Sequence, residues 1–382
     1  MTQKIFEIRK AGFENKGAAM MLIAAARALK AHYPDAIVSV PADHTHPYEQ
    51  RAALKLWHRA ELVRSGVDLG QVVALVPQKL RRRYGFVTRG EIDVVIDAAG
   101  LAYSDQWGPS ATEDLARRAT AWKKAGKKLI LLPQAFGPFS SPEIRAAIKT
   151  VADHADLMFA RDPVSLAYLT EVVGERAHIR LAPDFTNLLA GEPTSITLPG
   201  PSPVAIVPNA RMLDKTDQTA AANYLEFLLD CAEALQANGH TPFFLVHEGA
   251  ADLAIAKQVV SAMAAPVKIL CPDDALQAKT LLGGCTGVVS SRYHAIISAL
   301  SQGVPAIGTG WSHKYTALFA DYGCPDALVS VTDQKNDIEA ALAPIIDPAK
   351  RGAYASELED VVPRIKAKAM DVWKYTFEVI DN

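Results

Sequence analysis

Short apolar runs alternate with amphipathic helical stretches along the whole of this chain, and that alternation restricts it to an α/β architecture. Strand, helix and parallel strand form the unit that such a pattern builds. In the first half, the spacing predicts strands at Ile5–Ile8, Ile37–Val40, Val72–Val76, Val94–Asp97, Leu129–Leu132, Leu157–Ala160 and Ile179–Leu181. Helices are expected at Gly17–His32, Glu49–Ser65, Ser110–Ala125, Ser141–His154 and Pro163–Val172. Around Leu188–Pro203 the periodicity gives way to Gly, Pro, Ser and Thr, the composition of a linker. A second series then predicts strands at Val204–Val207, Pro242–His247, Val267–Leu270, Val288–Ser291 and Ala306–Gly308. Its helices fall at Thr219–Asn238, Ala251–Ala264, Ala275–Leu282, His294–Gln302 and Lys314–Tyr322, and a polar amphipathic segment, Glu357–Val379, closes the chain. The expected organisation is a Rossmann-like domain over 1–190, a linker over 191–202, a second Rossmann-like domain over 203–355 and a C-terminal helix over 356–382. Two doubly wound halves imply a ligand cleft between them.

The formal net charge of −2 supplies no global pull toward nucleic acid or anionic lipid, so nucleic acid is not expected as a partner. Lys79-Leu80-Arg81-Arg82-Arg83-Tyr84 is the one strong local charge cluster. It could lie against anionic headgroups as a peripheral membrane contact, or against a diphosphate-bearing acceptor; a solvated loop is the simpler reading. Cys231, Cys271, Cys285 and Cys324 have no paired or metal spacing and read as buried thiols in a reducing compartment. Met1-Thr2-Gln3-Lys4 leads directly into an apolar strand without a secretory apolar core, and no apolar run is long enough to span a bilayer. A cytoplasmic protein is expected. No His, Cys or Glu spacing suits a metal, and His44 and His46 read as surface loop residues.

Ser291-Arg292-Tyr293-His294-Ala295 is the most telling segment for chemistry. It lies between an apolar strand and an Ala/Ile/Leu-rich helix, and Gly303-Val304-Pro305 leads into the next strand. Ligands of α/β sheets gather at the carboxyl ends of strands, so Arg292 and His294 stand where an anion would meet a guanidinium and an imidazole. Arg211 follows the first strand of the same half, and His247-Glu248, with Asp252 just beyond, follows the second. Three strand ends of one sheet thus offer Arg211, His247 and Arg292/His294, a set suited to a small doubly charged anion. A histidine titrating near neutrality could also donate or remove a proton.

The first half offers further strand-end residues. Gly12-Phe13-Glu14-Asn15-Lys16-Gly17 opens the first long helix, where Asn15 could cap and Gly17 could admit a ligand close to the backbone. Asp97 and Asp105 bracket a small-residue turn, Gln134 ends the next strand, and Arg161-Asp162 the one after. Asp162 suits an N-cap, Arg161 reads more readily as structural than as ligand-binding, and Asp184 sits at the hinge between the halves.

These motifs resemble the polysaccharide pyruvyl transferase family. The resemblance rests on Asn15-Lys16-Gly17-Ala18 with Met20, on Asp97–Asp105, Gln134–Pro138 and Phe159–Ser165, and most specifically on Arg292-Tyr293-His294-Ala295 through Pro305. The chain departs from that family's pattern at Ala98-Ala99-Gly100, where consecutive glycines are common, and at Tyr293, where an aliphatic residue is common. The resemblance implies a GT-B-like fold and transfer of the enolpyruvyl group of phosphoenolpyruvate to a sugar, with no cofactor beyond that co-substrate. It carries donor binding over to Arg211, Arg292 and His294. His294 becomes the leading acid/base, with His247, Asp97 or Asp105 assisting. It further implies an envelope or exopolysaccharide intermediate built at the inner face of the cytoplasmic membrane, with a free, nucleotide-linked or lipid-linked acceptor left open. Two other readings share the architecture: a nucleotide-sugar glycosyltransferase and a non-catalytic sugar- or anion-binding homologue. Thr309-Gly310-Trp311-Ser312-His313-Lys314 carries no carboxylate for a ribose, which weighs against the first.

Overall fold

The structure, a computed structural model, describes residues 3–60, 63–64, 67–331 and 338–382. It divides into two compact units: residues 1–14, 18–185 and 368–382, and residues 15–17 with 186–367.

The strands of the first unit are β1 (Ile5–Arg9), β2 (Ile37–Pro41), β3 (Trp57–Arg59), β4 (Val63–Arg64), β5 (Val67–Asp68), β6 (Phe86–Val87), β7 (Val94–Asp97), β8 (Lys128–Gln134), β9 (Leu157–Ala160) and β10 (Ile179–Leu181). Its helices are α1 (Lys16–His32), α2 (Tyr48–Ala53), α3 (Gln78–Arg83), α4 (Ser110–Lys124), α5 (Pro142–His154) and α6 (Pro163–Val173). Eight strands form a parallel sheet in the order β10-β9-β8-β7-β1-β2-β3-β6, while β4 and β5 pair antiparallel apart from it. β1, β2, β7 and β9 are buried along their whole length, as expected of strands covered on both faces. Leu115 and Trp122 of α4 and Ile144, Ile148 and Val151 of α5 join Leu129 and Leu131 in one core. Helix starts follow local chemistry: Ser141 accepts from Ile144 N and Asp162 from Ser165 N, each with Pro at the next position.

Three expectations in this half need correction. The helix anticipated over Glu49–Ser65 ends at Ala53, after which Lys55 takes φ +53 and Trp57–Arg59 pairs between β2 and β6. Residues 61, 62 and 65 lie outside the described residues. The strand anticipated at Val72–Val76 is instead a 3-10 helix, Leu69–Leu75, with Val72 57% and Leu75 83% exposed. An apolar run with no partner strand has no ladder to join. The basic run is no loop: it forms α3, whose Arg81 turns inward to pair with Glu91 while Lys79 and Arg83 stay exposed. Although burial works against ionisation of Glu91, Arg81 and Thr88 hold it down at about 2.

In the second unit the strands are β11 (Pro203–Val207), β12 (Thr241–Leu245), β13 (Ile269–Leu270), β14 (Gly287–Ser290) and β15 (Ala306–Gly308), all parallel in the order β13-β12-β11-β14-β15. Its helices are α7 (Arg211–Asp214), α8 (Gln218–Ala237), α9 (Gly249–Ala262), α10 (Ala275–Gly283), α11 (Tyr293–Leu300), α12 (His313–Asp321) and α13 (Ile338–Ile346), the last not anticipated. The winding reverses between β11 and β14, so a crevice opens at their carboxyl ends. Beside it, Gly308 and Gly310 lie flush against aromatic rings. A Cβ would stand 2.4 Å from Phe319 at the first position and 2.3 Å from Tyr315 at the second. One helix, α14 (Pro348–Asp381), closes the chain; its residues 348–367 belong to the second unit and 368–381 to the first.

Candidate active site

The switch point of the second sheet is tied together by side chains. As β11 ends, Asn209 Nδ2 donates to the Ser291 carbonyl at 2.7 Å, and the Tyr315 hydroxyl donates to that same carbonyl at 2.9 Å. The Tyr224 oxygen lies 2.7 Å from Ser291 Oγ and accepts from Asn209 N at 2.9 Å. The residue preceding Arg292 is thus pinned from β11, α8 and α12 at once.

Arg292 opens α11 with its own N–H donated to Ser290 Oγ at 2.9 Å. Its guanidinium meets Asp252 through two parallel bonds, Nε to Oδ2 at 2.9 Å and Nη2 to Oδ1 at 2.5 Å, while Nη1 pairs with Glu248. Such a fork is the strong form of a charge-assisted pair. Asp252, from the first turn of α9, is fully buried and also accepts from Ala210 N at 3.0 Å. One carboxylate therefore links the turn after β11 to the arginine after β14. Burial pushes the Asp252 carboxyl up to about 7 and the Arg292 guanidinium down to about 10, and the nearby Arg211 charge adds to the latter. Arg292 stays cationic at neutral pH.

His247, two residues past β12, is buried, and its Nε2 has no hydrogen-bond partner among the described residues. Burial first, then the charges of Lys16, Arg292 and His294, holds its pKa well below the usual imidazole value. His294 sits in the first turn of α11, half-buried and edge-on to Tyr293, with ring centroids 5.4 Å apart. Arg211 begins α7, is about half exposed (48%) and pairs with Asp214 at 2.6 Å. The structure brings Arg292, His294 and His247 together, with Arg211 close enough for its charge to be felt. Both arginines are already paired with carboxylates here, beside a buried imidazole; release of Nη1 by Glu248 would give Arg292 a free edge for an anion. Sequence reasoning placed Asp252 and Glu248 near the second strand end but gave them no part in the site. It missed Tyr224, Ser291 and Tyr315 altogether, because nothing local marks side chains that meet across the sheet.

The candidates of the first unit form a separate network. Asp97, at that sheet's own switch point, takes the Tyr103 hydroxyl at 2.7 Å and Gln134 Nε2 at 3.3 Å. Arg161 is buried and pairs with Asp184 at 2.9 Å while donating to the Gly100 carbonyl at 3.0 Å. Asp105 accepts from Ser140 N at 2.6 Å and Ser141 N at 3.3 Å; burial opposes its ionisation, but these bonds carry its pKa below the ordinary range. Asn15, Lys16 and Gly17 belong instead to the second unit and to its site: Asn15 Oδ1 accepts from Gly17 N at 2.8 Å, a Cβ on Gly17 would stand 2.4 Å from His294 Nδ1, and Lys16, whose pKa burial lowers, acts on His247. His46, expected at the surface, and Cys271, expected to be buried, are each the reverse. His46 is 3% exposed, its ring nitrogens 2.9 Å from Asp43 Oδ1 and 2.8 Å from the Ala11 carbonyl oxygen. Cys271 is exposed rather than buried. Among the described residues no group of His, Cys, Asp and Glu could hold a metal, and no helix is long and apolar enough to cross a membrane.

The fold is similar to that of HepE from Anabaena in complex with UDP and glucose, at 16% identity over 99% of each chain and a TM-score of 0.61. It is similar to S. aureus MnaA with UDP, at 13% identity over 100% of this chain and 98% of that one, TM-score 0.63. A putative UDP-N-acetylglucosamine 2-epimerase from Listeria monocytogenes aligns at 14% identity over 100% of this chain and 98% of that one, TM-score 0.62. At such identities the likeness is one of fold, the GT-B type. No curated sequence matches the chain. The model of the family described as polysaccharide pyruvyl transferase matches residues 15–313, a span that takes in the Arg292–His294 turn, the arginine after β11 and the strand-end residues of the first sheet. The chain therefore belongs to the polysaccharide pyruvyl transferase family and is a transferase by descent.

Proposed function

We propose that this protein transfers the enolpyruvyl group of phosphoenolpyruvate to two hydroxyls of a sugar, giving a pyruvate ketal and phosphate. The observation that carries the reading is Arg292 at the switch point, anchored along one edge by buried Asp252, with His247 and His294 beside it. Arg292 and Arg211 would hold the donor's carboxylate and phosphate, which a planar fork matches in geometry and charge.

Protonation of the donor methylene makes a methyl group and leaves an oxocarbenium-like centre on the adjoining carbon. A sugar hydroxyl attacks that centre and loses its proton. A second hydroxyl then forms the other ketal bond as the carbon–phosphate oxygen bond breaks, and its proton leaves with the phosphate. His294, half-buried beside Arg292, is assigned the first proton. His247 is suited to accept or orient rather than to donate, since its environment keeps it neutral. Asp97 and Asp105, engaged by Tyr103, Gln134, Ser140 and Ser141, would serve the acceptor only by exchanging those bonds. The acceptor belongs to a polysaccharide or its precursor, consistent with the family. Related folds with UDP or UDP-sugars make a nucleotide-linked acceptor a natural comparison.

Calorimetry with phosphoenolpyruvate, alongside UDP-glucose and the Arg292→Ala variant, tests the reading. Saturable phosphoenolpyruvate binding lost in the variant supports it. Binding of UDP-glucose alone would move the protein to the nucleotide-sugar transferases.

A further inference from the structure

A cavity of about 480 Å³ opens within the second unit beside the switch-point site, lined among others by Met212, Lys215, Asp217, Thr309, Trp311 and Ser330. Its volume lies within the roughly 300–1,000 Å³ of small-ligand sites. Thr309 and Trp311 follow β15, and Met212 belongs to α7, so the cavity stands on the same sheet edge as Arg292. Its wall is continuous with that site. The Trp311 ring meets Tyr315 at 6.5 Å between centroids, Tyr315 meets Tyr293 at 5.8 Å, and the Tyr315 hydroxyl holds the Ser291 carbonyl.

The chemistry of the lining differs from that of its neighbour. Lys215 and Asp217 are its charged groups and cancel; next door Arg211 and Arg292 are paired too, with Asp214 and with Glu248 and Asp252, but His247 and His294 stand beside them. Asp217 also caps α8 through Ala220 N at 2.9 Å, which fixes its carboxylate in place. An indole, three small hydroxyls, one carboxylate and one ammonium over a Met/Leu/Val floor match a flat ring with an apolar face and a polar rim. A diphosphate would find no net positive charge here.

We propose that this cavity is a subsite for an uncharged pyranose ring of the acceptor glycan, adjoining the ring that receives the pyruvyl group. That the ring belongs to an acceptor rests on the function proposed above; that the cavity takes a neutral sugar does not. The test uses the full chain with 15N-labelled tryptophan, in which the Trp311 Nε1–H resonance is identified by its loss in Trp311→Phe. Wild-type protein is titrated separately with lactose, cellobiose, N,N′-diacetylchitobiose, UMP and phosphoenolpyruvate. At least one disaccharide should shift the Trp311 resonance saturably. Ser330→Leu, at an exposed position on the rim, should weaken that response about tenfold with the melting curve unchanged. An unmoved resonance with all three disaccharides overturns the proposal, as does saturation by UMP in their place. A sugar response without phosphoenolpyruvate binding by calorimetry would sink the pyruvyl transfer reading and leave the subsite standing. Phosphoenolpyruvate binding without a sugar response would do the reverse.

Discussion

Replacing Asp252 by Ala should cost the second unit far more than an ordinary surface substitution, and the structure allows the size to be worked out. The carboxylate is fully buried, and the Arg292 side chain it holds is only 12% exposed, with bonds of 2.9 and 2.5 Å. Removing one partner of such a pair leaves a charge with little water around it, a loss of about 3–5 kcal/mol. Glu248 still reaches Nη1, which argues for the lower end of that range. Ala210 N loses its acceptor as well, at about 1 kcal/mol. A destabilisation of about 4 kcal/mol is therefore expected, read as a shift in the urea midpoint followed by fluorescence. The companion variant, Asp252→Leu with Arg292→Met, removes both charges and should recover most of the loss. A single-variant cost below about 1 kcal/mol, or a double variant less stable than Asp252→Ala, would refute the claim that Asp252 anchors Arg292.

Other outcomes follow from the same geometry. His294→Gln should lower phosphate release from phosphoenolpyruvate and an accepted sugar about 10²–10⁴-fold while the melting curve stays put; unchanged turnover removes His294 from the proton transfer. Glu248→Gln frees the Nη1 edge of Arg292 of a competing carboxylate, so phosphoenolpyruvate should bind up to about fivefold tighter, and weaker binding would make Glu248 a ligand group instead. His247 has a folded pKa well below its unfolded value, so its contribution to stability is full above about pH 6.5 and declines as pH falls below that. His247→Gln should flatten the acid side of the stability profile by up to one proton, although His58 and His240, lowered likewise, retain theirs. Arg161→Ala removes the guanidinium that faces buried Asp184 and should destabilise the first unit by about 3 kcal/mol, measured by chemical unfolding.

The parallel strands were legible because their signal is local. Val204–Val207 and Val288–Ser291 are short apolar runs ending in polar turns, and β11 and β14 lie within a residue of those bounds. The same rule misread Val72–Val76, where an apolar run met no neighbouring strand, and Glu49–Ser65, where pairing of Trp57–Arg59 with β2 overrode helical spacing. His46 looked like a loop residue because its partners, Asp43 and the Ala11 carbonyl, are ordered only once the loop packs on the end of β1. Arg292 and His294 could be read from the strand-to-helix junction. What orients Arg292 could not, since Asp252 stands 40 positions away and Tyr224 reaches Ser291 across 67.

The flush packing of Gly308 and Gly310 bears on how such an enzyme can drift toward a new acceptor. With ring carbons 2.4 and 2.3 Å from where a side chain would begin, neither position tolerates even alanine without moving Phe319 or Tyr315, and Tyr315 is bolted to the residue before Arg292. Mutational exploration on this side of the crevice is thereby pushed outward, to Lys215, Asp217 and Ser330 on the cavity rim. On the proposed reading, lineages can retune what the rim binds there, while the Arg292 turn keeps the same rigid floor.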